Sequence, residues 1–173
     1  MFRLVISDIK AKQRLYSQYG ASCSFFRALL TDGTSANVLY RLQEWLSGLG
    51  LAPLALLPHT LNKWFNGCVI GVKARFGEGF VLIHPVGVVI NSSVRGGREV
   101  WIESGVVIGD NRGRSPELGH GVFVGSGAKI IGGVRIEDGA RVGANAVVTK
   151  DVGRGVTVVG IPARPVHEGA RAP

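Results

Sequence analysis

From Ile70 to Val148 the apolar positions keep a six-residue beat. They fall at Ile70, Phe76, Leu82, Val88, Val94, Val100 and Val106, then resume at Leu118, Val124, Ile130, Ile136, Val142 and Val148. A second small or aliphatic residue follows four positions after most of them, as at Ala74, Val86, Ser92, Ser104, Val122, Ala128, Ala140 and Ala146. A hexapeptide repeat of this kind marks a parallel β-helix, and the chain is expected to be mainly β. Six residues make one short strand and a bend, and three sides close a coil of about eighteen, stacked at about 4.8 Å. Leu82, Val100, Leu118 and Ile136 would then form one inward stack, and Val88, Val106, Val124 and Val142 a second. Phe76, Val94, Ile130 and Val148 would form the third, whose missing place falls on Arg112. An unpaired guanidinium in that interior would cost several kcal/mol, so residues 109–117, rich in Asp, Asn, Gly and Pro, should leave the coil as an extruded loop.

The pattern before the repeat is helical. Residues 1–69 form an N-terminal helical region, 70–153 the β-helix, and 154–173 a C-terminal tail. Ser22 to Leu30 carries Phe25, Phe26, Leu29 and Leu30 at helical spacing. Thr34 or Ser35 is placed to cap a helix through Leu46, ended by Gly48 or Gly50. A last helix spans about Pro53 to Phe65, and Pro58 should kink or split it. Its apolar stripe would pack on the first coil or a sister subunit. The alternative use is peripheral contact with a membrane surface, with Trp45, Trp64 and Phe65 as anchors.

Composition narrows the partners. The net charge is +8, divided as +4 before residue 70 and +4 after it, with no basic block, which argues against nucleic acid. Two cysteines, Cys23 and Cys68, suit a reducing cytoplasm and read as packing residues. The start MFRLVISDIK has no apolar core long enough for a cleavable leader, and no stretch would span a bilayer. The localisation expected is cytoplasmic, with the inner face of the membrane as its one variant.

Of the four histidines, His84 stands out, in the otherwise apolar run FVLIHPVGVVIN. Two residues past Leu82, it falls at a corner of the prism, open to a cleft or a neighbouring subunit. A neutral imidazole there can take a proton from an alcohol attacking an acyl carbon. His120 shares that corner phase and reads as a surface residue. His59 and His167 lie outside the coils, so no three-histidine metal site is expected.

The stretch Phe80–Asn91, the run GVVIGDNRGRSPELGHGVFVGSGAKIIGGVRIEDGARVGANAVVTKDV and the ending VVGIPARPV resemble the hexapeptide acyltransferases. Within them the chain is similar to the serine acetyltransferase branch, and closest to the acetyltransferases of colanic acid and other exopolysaccharides. That resemblance implies a left-handed β-helix, a homotrimer, and acetyl-coenzyme A as donor, with no metal. It implies His84 as general base. The branch has an Asp before that His, where this chain has Ile83, and a second His in the loop, where it has Ser115. Both departures turn the expectation from serine to a sugar hydroxyl in polysaccharide biosynthesis.

The loop residues Arg112, Arg114 and Ser115 would hold the acceptor, an acidic or lipid-linked glycan. Glu103, one coil above His84, either polarises the imidazole or stays in water. For the pantetheine arm the small residues Gly109, Ser126, Gly127, Gly143 and Ala144 allow close approach. Lys150 and Arg164 match basic positions that contact nucleotide phosphates in such families. Transfer would be direct, without an acyl-enzyme. Two alternatives stand: a serine O-acetyltransferase of cysteine biosynthesis, and a non-catalytic β-helix scaffold. The family's tail for docking on the next enzyme ends in Ile where this chain has Ala172-Pro173, which counts against the first.

Overall fold

The structure, a computed structural model, describes residues 1–18, 20 and 24–166. Among the described residues four helices precede the repeat: α1 (Phe2–Gln18), α2 (Phe25–Leu30), α3 (Thr34–Gly48) and α4 (Ala52–Asn66). The rest is a left-handed parallel β-helix of two- and three-residue strands. Its first face stacks Val69–Ile70, Val89–Ile90, Val107–Gly109, Lys129–Ile131 and Val147–Val148. The second stacks Arg75–Phe76, Arg95–Gly96, Glu117–Leu118 and Arg135–Ile136. The third stacks Val81–Leu82, Trp101–Ile102, Phe123–Val124, Arg141–Val142 and Thr157–Val159, closed by the antiparallel Arg164–Pro165.

The inward stacks differ from the eighteen-residue expectation. Ile70 lies under Ile90, Ile108, Ile130 and Val148. Phe76 lies under Gly96, Leu118 and Ile136. Leu82 lies under Ile102, Val124, Val142 and Val158. The causes are two insertions and a shortening of the last coil, where Val142 pairs with Val158. Two extra residues sit at the corner that carries His84 and Pro85, and four more fall after Gly109. Val88, Val94, Val100 and Val106 are still fully buried, but in a second inward row at the corners. Val86, by contrast, is 67% exposed.

Gly109 ends a strand and Glu117 begins one, so the excursion is shorter than expected, 110–116. It is a small hairpin. Asn111 and Arg114 exchange backbone hydrogen bonds of 3.0 and 3.2 Å, and Asp110 Oδ1 accepts from the Gly113 N–H at 3.0 Å. Arg112 sits at its tip, exposed, with φ 54°.

A stacked β-helix leaves unpaired backbone groups on its terminal coil. Here α3 covers them with polar side chains. Asn37 donates from Nδ2 to Phe80 O and accepts from Leu82 N through Oδ1, both at 2.9 Å. Tyr40 Oη accepts from Phe76 N at 3.1 Å, Arg41 Nη1 donates to Phe76 O at 2.8 Å, and Gln43 Nε2 donates to Ile70 O at 3.0 Å. Buried Arg41 also grips Asp8 of α1 through Nε at 2.8 Å and Nη2 at 3.1 Å. Burial pushes the Asp8 carboxyl up to about 6 against the pull of Arg41. The Arg41 guanidinium is disfavoured by burial, but the hydrogen bond and charge of Asp8 hold it protonated.

The helices differ in detail from expectation. No side chain caps α3; its N-cap is Gly33, and the Thr34 hydroxyl turns instead to Ala28 O at 2.6 Å. Helix α4 continues through Pro58, which is buried with Ala55 and Asn62 on the face turned to α3, so packing holds it across the missing donor. Its Leu54, Leu57, Trp64 and Phe65 remain exposed. Among the described residues no helix is long and apolar enough to cross a membrane.

Candidate active site

His84 lies at the corner joining the third face to the first, with its side chain 52% exposed. Its Nδ1 stands 3.4 Å from Asp32 Oδ2. The two line a cleft of about 330 Å³ together with Thr31, Gly33, Ser35, Asn66 and Pro85, rimmed by the exposed Leu30, Phe65 and Val86. An acid partner, absent from the position before His84, is therefore supplied by the α2–α3 connection. Sequence reasoning missed it. Ile83 cannot serve in that role, since its side chain is buried against Ala11 and Leu15 of α1.

The pairing is built locally. Gly33 adopts φ 80°, ψ −16°, and a Cβ there would run into the carbonyl of Leu82, so only glycine brings the turn this close to the strand before His84. Asn37 fixes α3 to the same strand from both sides of Val81. A carboxylate beside Nδ1 favours the tautomer with the proton on that nitrogen, and an imidazole so paired can accept a proton at Nε2.

Above His84 the same corner repeats as a ladder of tight backbone turns. Gly87, Gly105 and Gly127 take φ of 75°, 66° and 73°, and Asn145 takes 56°. They are linked by Gly105 N to Val86 O at 2.9 Å, Gly127 N to Ser104 O at 2.7 Å and Asn145 N to Ser126 O at 2.8 Å. Ser126, Gly127 and Ala144 lie on this edge, and Gly143 directly follows the adjoining third-face strand Arg141–Val142. Lys129, which sequence reasoning passed over, donates from Nζ to Gly105 O at 2.7 Å and Gly127 O at 2.8 Å, taking up two carbonyls of the ladder.

The other expected residues lie elsewhere. Gly109 ends the first-face strand Val107–Gly109, and Arg112, Arg114 and Ser115 lie in the corner that follows it, so within one chain they do not meet His84. Ser115 donates to Asn91 Oδ1 at 3.3 Å. Arg114 and Lys150 line a groove of about 600 Å³ at that corner, with Asn111, Gly132 and Gly133. Lys150 also borders a hollow of about 300 Å³ at the last coil of the prism, with Arg164. Glu103 extends the strand register beside Ile83 and does not line the His84 cleft.

His120 is not on the corner of His84. It joins the second face to the third, where its Nδ1 accepts from Arg98 N at 2.9 Å and its N–H donates to Asp138 Oδ1 at 2.8 Å. That bond holds the Asp138 carboxyl below its ordinary value. His59 Nδ1 contacts Ile70 O at 3.0 Å, while His167 and Cys23 lie outside the described residues. Among the described residues no three metal-ligating side chains converge.

A hexapeptide prism with a carboxylate-paired histidine at a cleft defines an acyltransferase of the hexapeptide class. Residues 115–150 match the family described as bacterial transferase hexapeptide (six repeats). The chain is 33% identical over 172 residues to a serine acetyltransferase of Synechococcus elongatus, covering 96% of this chain and 69% of that one. It is 37% identical over 142 residues to the serine acetyltransferase of Helicobacter pylori, covering 80% and 83%. The solved serine acetyltransferase of Brucella abortus in complex with coenzyme A superposes with a TM-score of 0.86 at 30% identity, covering 96% of this chain and 68% of that one. The chain belongs to the serine acetyltransferase family. The expectation of a sugar O-acetyltransferase of polysaccharide biosynthesis is thereby corrected. These relatives are serine acetyltransferases, none of them points to exopolysaccharide enzymes, and Asp32 removes the argument drawn from Ile83.

Proposed function

We propose that the chain transfers an acetyl group from acetyl-coenzyme A to the hydroxyl of L-serine. The observation that carries this reading is the Asp32–His84 pair, in a cleft at the foot of the Gly87–Asn145 ladder. Nε2 of His84 takes the hydroxyl proton as the oxygen attacks the thioester carbonyl. The tetrahedral intermediate collapses with cleavage of the C–S bond, and the imidazolium returns the proton to the departing thiolate. Asp32 holds Nδ1–H and balances the transient positive charge. No acyl-enzyme forms.

The pantetheine arm follows the ladder past Ser126, Gly127, Gly143 and Ala144, where small residues admit it. Lys150 and Arg164 attract the nucleotide phosphates. The chain works as a homotrimer. The loop residues Arg112, Arg114 and Ser115, which lie on a different edge from His84, reach the acceptor from a neighbouring copy. Arg114 is suited to the serine carboxylate, since a guanidinium pairs with it through two bonds.

Release of free coenzyme A in the presence of L-serine, and not of sugars, tests the reading. Replacing His84 with Ala should lower turnover roughly a hundredfold or more, the ordinary worth of a general base, with the fold intact by circular dichroism. Wild-type turnover in that variant, or no acetylation of L-serine, would overturn it.

A further inference from the structure

The ammonium of Lys12 is buried, its residue 2% exposed, where α1 crosses the α2–α3 connection. It donates to the backbone carbonyl of Asp32 and, at 3.2 Å, to Thr34 Oγ1. The Thr34 hydroxyl in turn donates to Ala28 O at 2.6 Å, tying the last turn of α2 into the same network. Burying an ammonium is costly, and a side chain of the same length without charge would fill the space. The donors of Lys12 are aimed at the backbone of the one residue whose carboxylate faces His84 Nδ1. The Asp32 side chain itself is 78% exposed, so its position depends on its own backbone and on the imidazole.

We propose that Lys12 is a positioning residue, anchoring the Asp32 backbone so that the exposed carboxylate stays in register with His84. The inference rests on the mechanism above. Two restraints act on one short turn. Gly33 presses it against the Leu82 carbonyl from the β-helix side, and Lys12 holds it from α1. Loss of the second lets the carboxylate drift from Nδ1 without removing any group that touches substrate.

The test is a cycle of Lys12→Met and Asp32→Asn, singly and together, read as kcat with saturating acetyl-coenzyme A and L-serine. Lys12→Met should lower kcat roughly tenfold or more, in line with the cost of misplacing a catalytic group, and leave KM for the donor within about twofold. In the Asp32→Asn background the same change should cost less than about twofold, because the two residues act as one unit. Lys12→Arg, which keeps charged donors, should lose less than Lys12→Met. If Lys12→Met does not fold, Lys12→Gln is read in the same cycle. Multiplying losses, or a kcat unchanged on removing the ammonium, would overturn the inference. His84→Ala serves as the control: if it is inactive while Lys12→Met matches wild type, only this inference fails. An active His84→Ala refutes the underlying mechanism instead.

Discussion

Gly33→Ala tests the joint between helix and β-helix most directly. The residue sits at φ 80°, and an added Cβ would overlap the Leu82 carbonyl oxygen, standing 3.0 Å from its carbon and 3.2 Å from Ile83 O. Both neighbours are backbone, so neither can swing aside as a side chain would. A left-handed conformation costs a non-glycine residue about 1–2 kcal/mol. Forcing the turn away from the strand adds about 1–3 kcal/mol, the usual cost of overpacking. The sum, roughly 2–5 kcal/mol, lowers Tm by on the order of 5–15 °C for a domain of this size. Gly155→Ala is the control, since it shares the positive φ, 68°, but has nothing within 4 Å of the added carbon. It should show only the backbone cost. A shift of about 1 Å between Asp32 and His84 should also reduce kcat about a hundredfold in Gly33→Ala, measured well below Tm. Equal Tm losses in the two variants, with full activity in Gly33→Ala, would refute the close-approach argument.

The Phe76 ring occupies the space over Gly96, where a Cβ would enter it. Gly96→Val should destabilise by about 1–3 kcal/mol in urea unfolding, and adding Phe76→Val should recover part of that loss, whereas additive losses would deny the coupling. Burial keeps the Asp8 proton on to about pH 6 when folded, against an ordinary carboxylate value of 3.8. Between those values the native state binds more protons than the unfolded chain. The stability contributed by Asp8 should therefore fall as pH rises from about 4 through about 6, then level off. Urea unfolding of wild type and Asp8→Asn at both ends of that range checks the sign, and a gap that widens toward pH 6 in favour of wild type would contradict it. Burial pushes the Cys68 thiol up to about 12. In a Cys23→Ser background, iodoacetamide at pH 8 should leave the native protein unlabelled and label it once after unfolding; rapid native labelling would show the thiol to be accessible.

The β-helix is legible because its period is carried by residues with no alternative use, the aliphatic side chains of a narrow core. Its phase is not. Each coil buries two inward rows, so Val88, Val94, Val100 and Val106 keep the beat while sitting in the second row. A two-residue insertion at His84-Pro85 therefore passes unmarked in the hydrophobic pattern. Arg112 betrays the second insertion because a charge cannot hide in that core. His84 is conspicuous as a lone titratable group in an apolar run. Asp32 is not, because the run Thr31-Asp32-Gly33 reads as an ordinary helix start, far from His84 along the chain. Lys12, Asn37 and Arg41 are polar residues on amphipathic helices, which a sequence assigns to solvent. Only the docking of α1 and α3 on the first coil turns them inward.

By occupying the lowermost rung through Asn37, Tyr40, Arg41 and Gln43, α3 denies that rung to any other chain. A solenoid ending in bare amides and carbonyls is a seed on which further copies can accrete, as in cross-β fibres. Stripping α3 away would uncover that seed, and the shortened protein should elongate end to end into filaments detectable by thioflavin fluorescence. The helical segment is thus also what keeps the repeat finite.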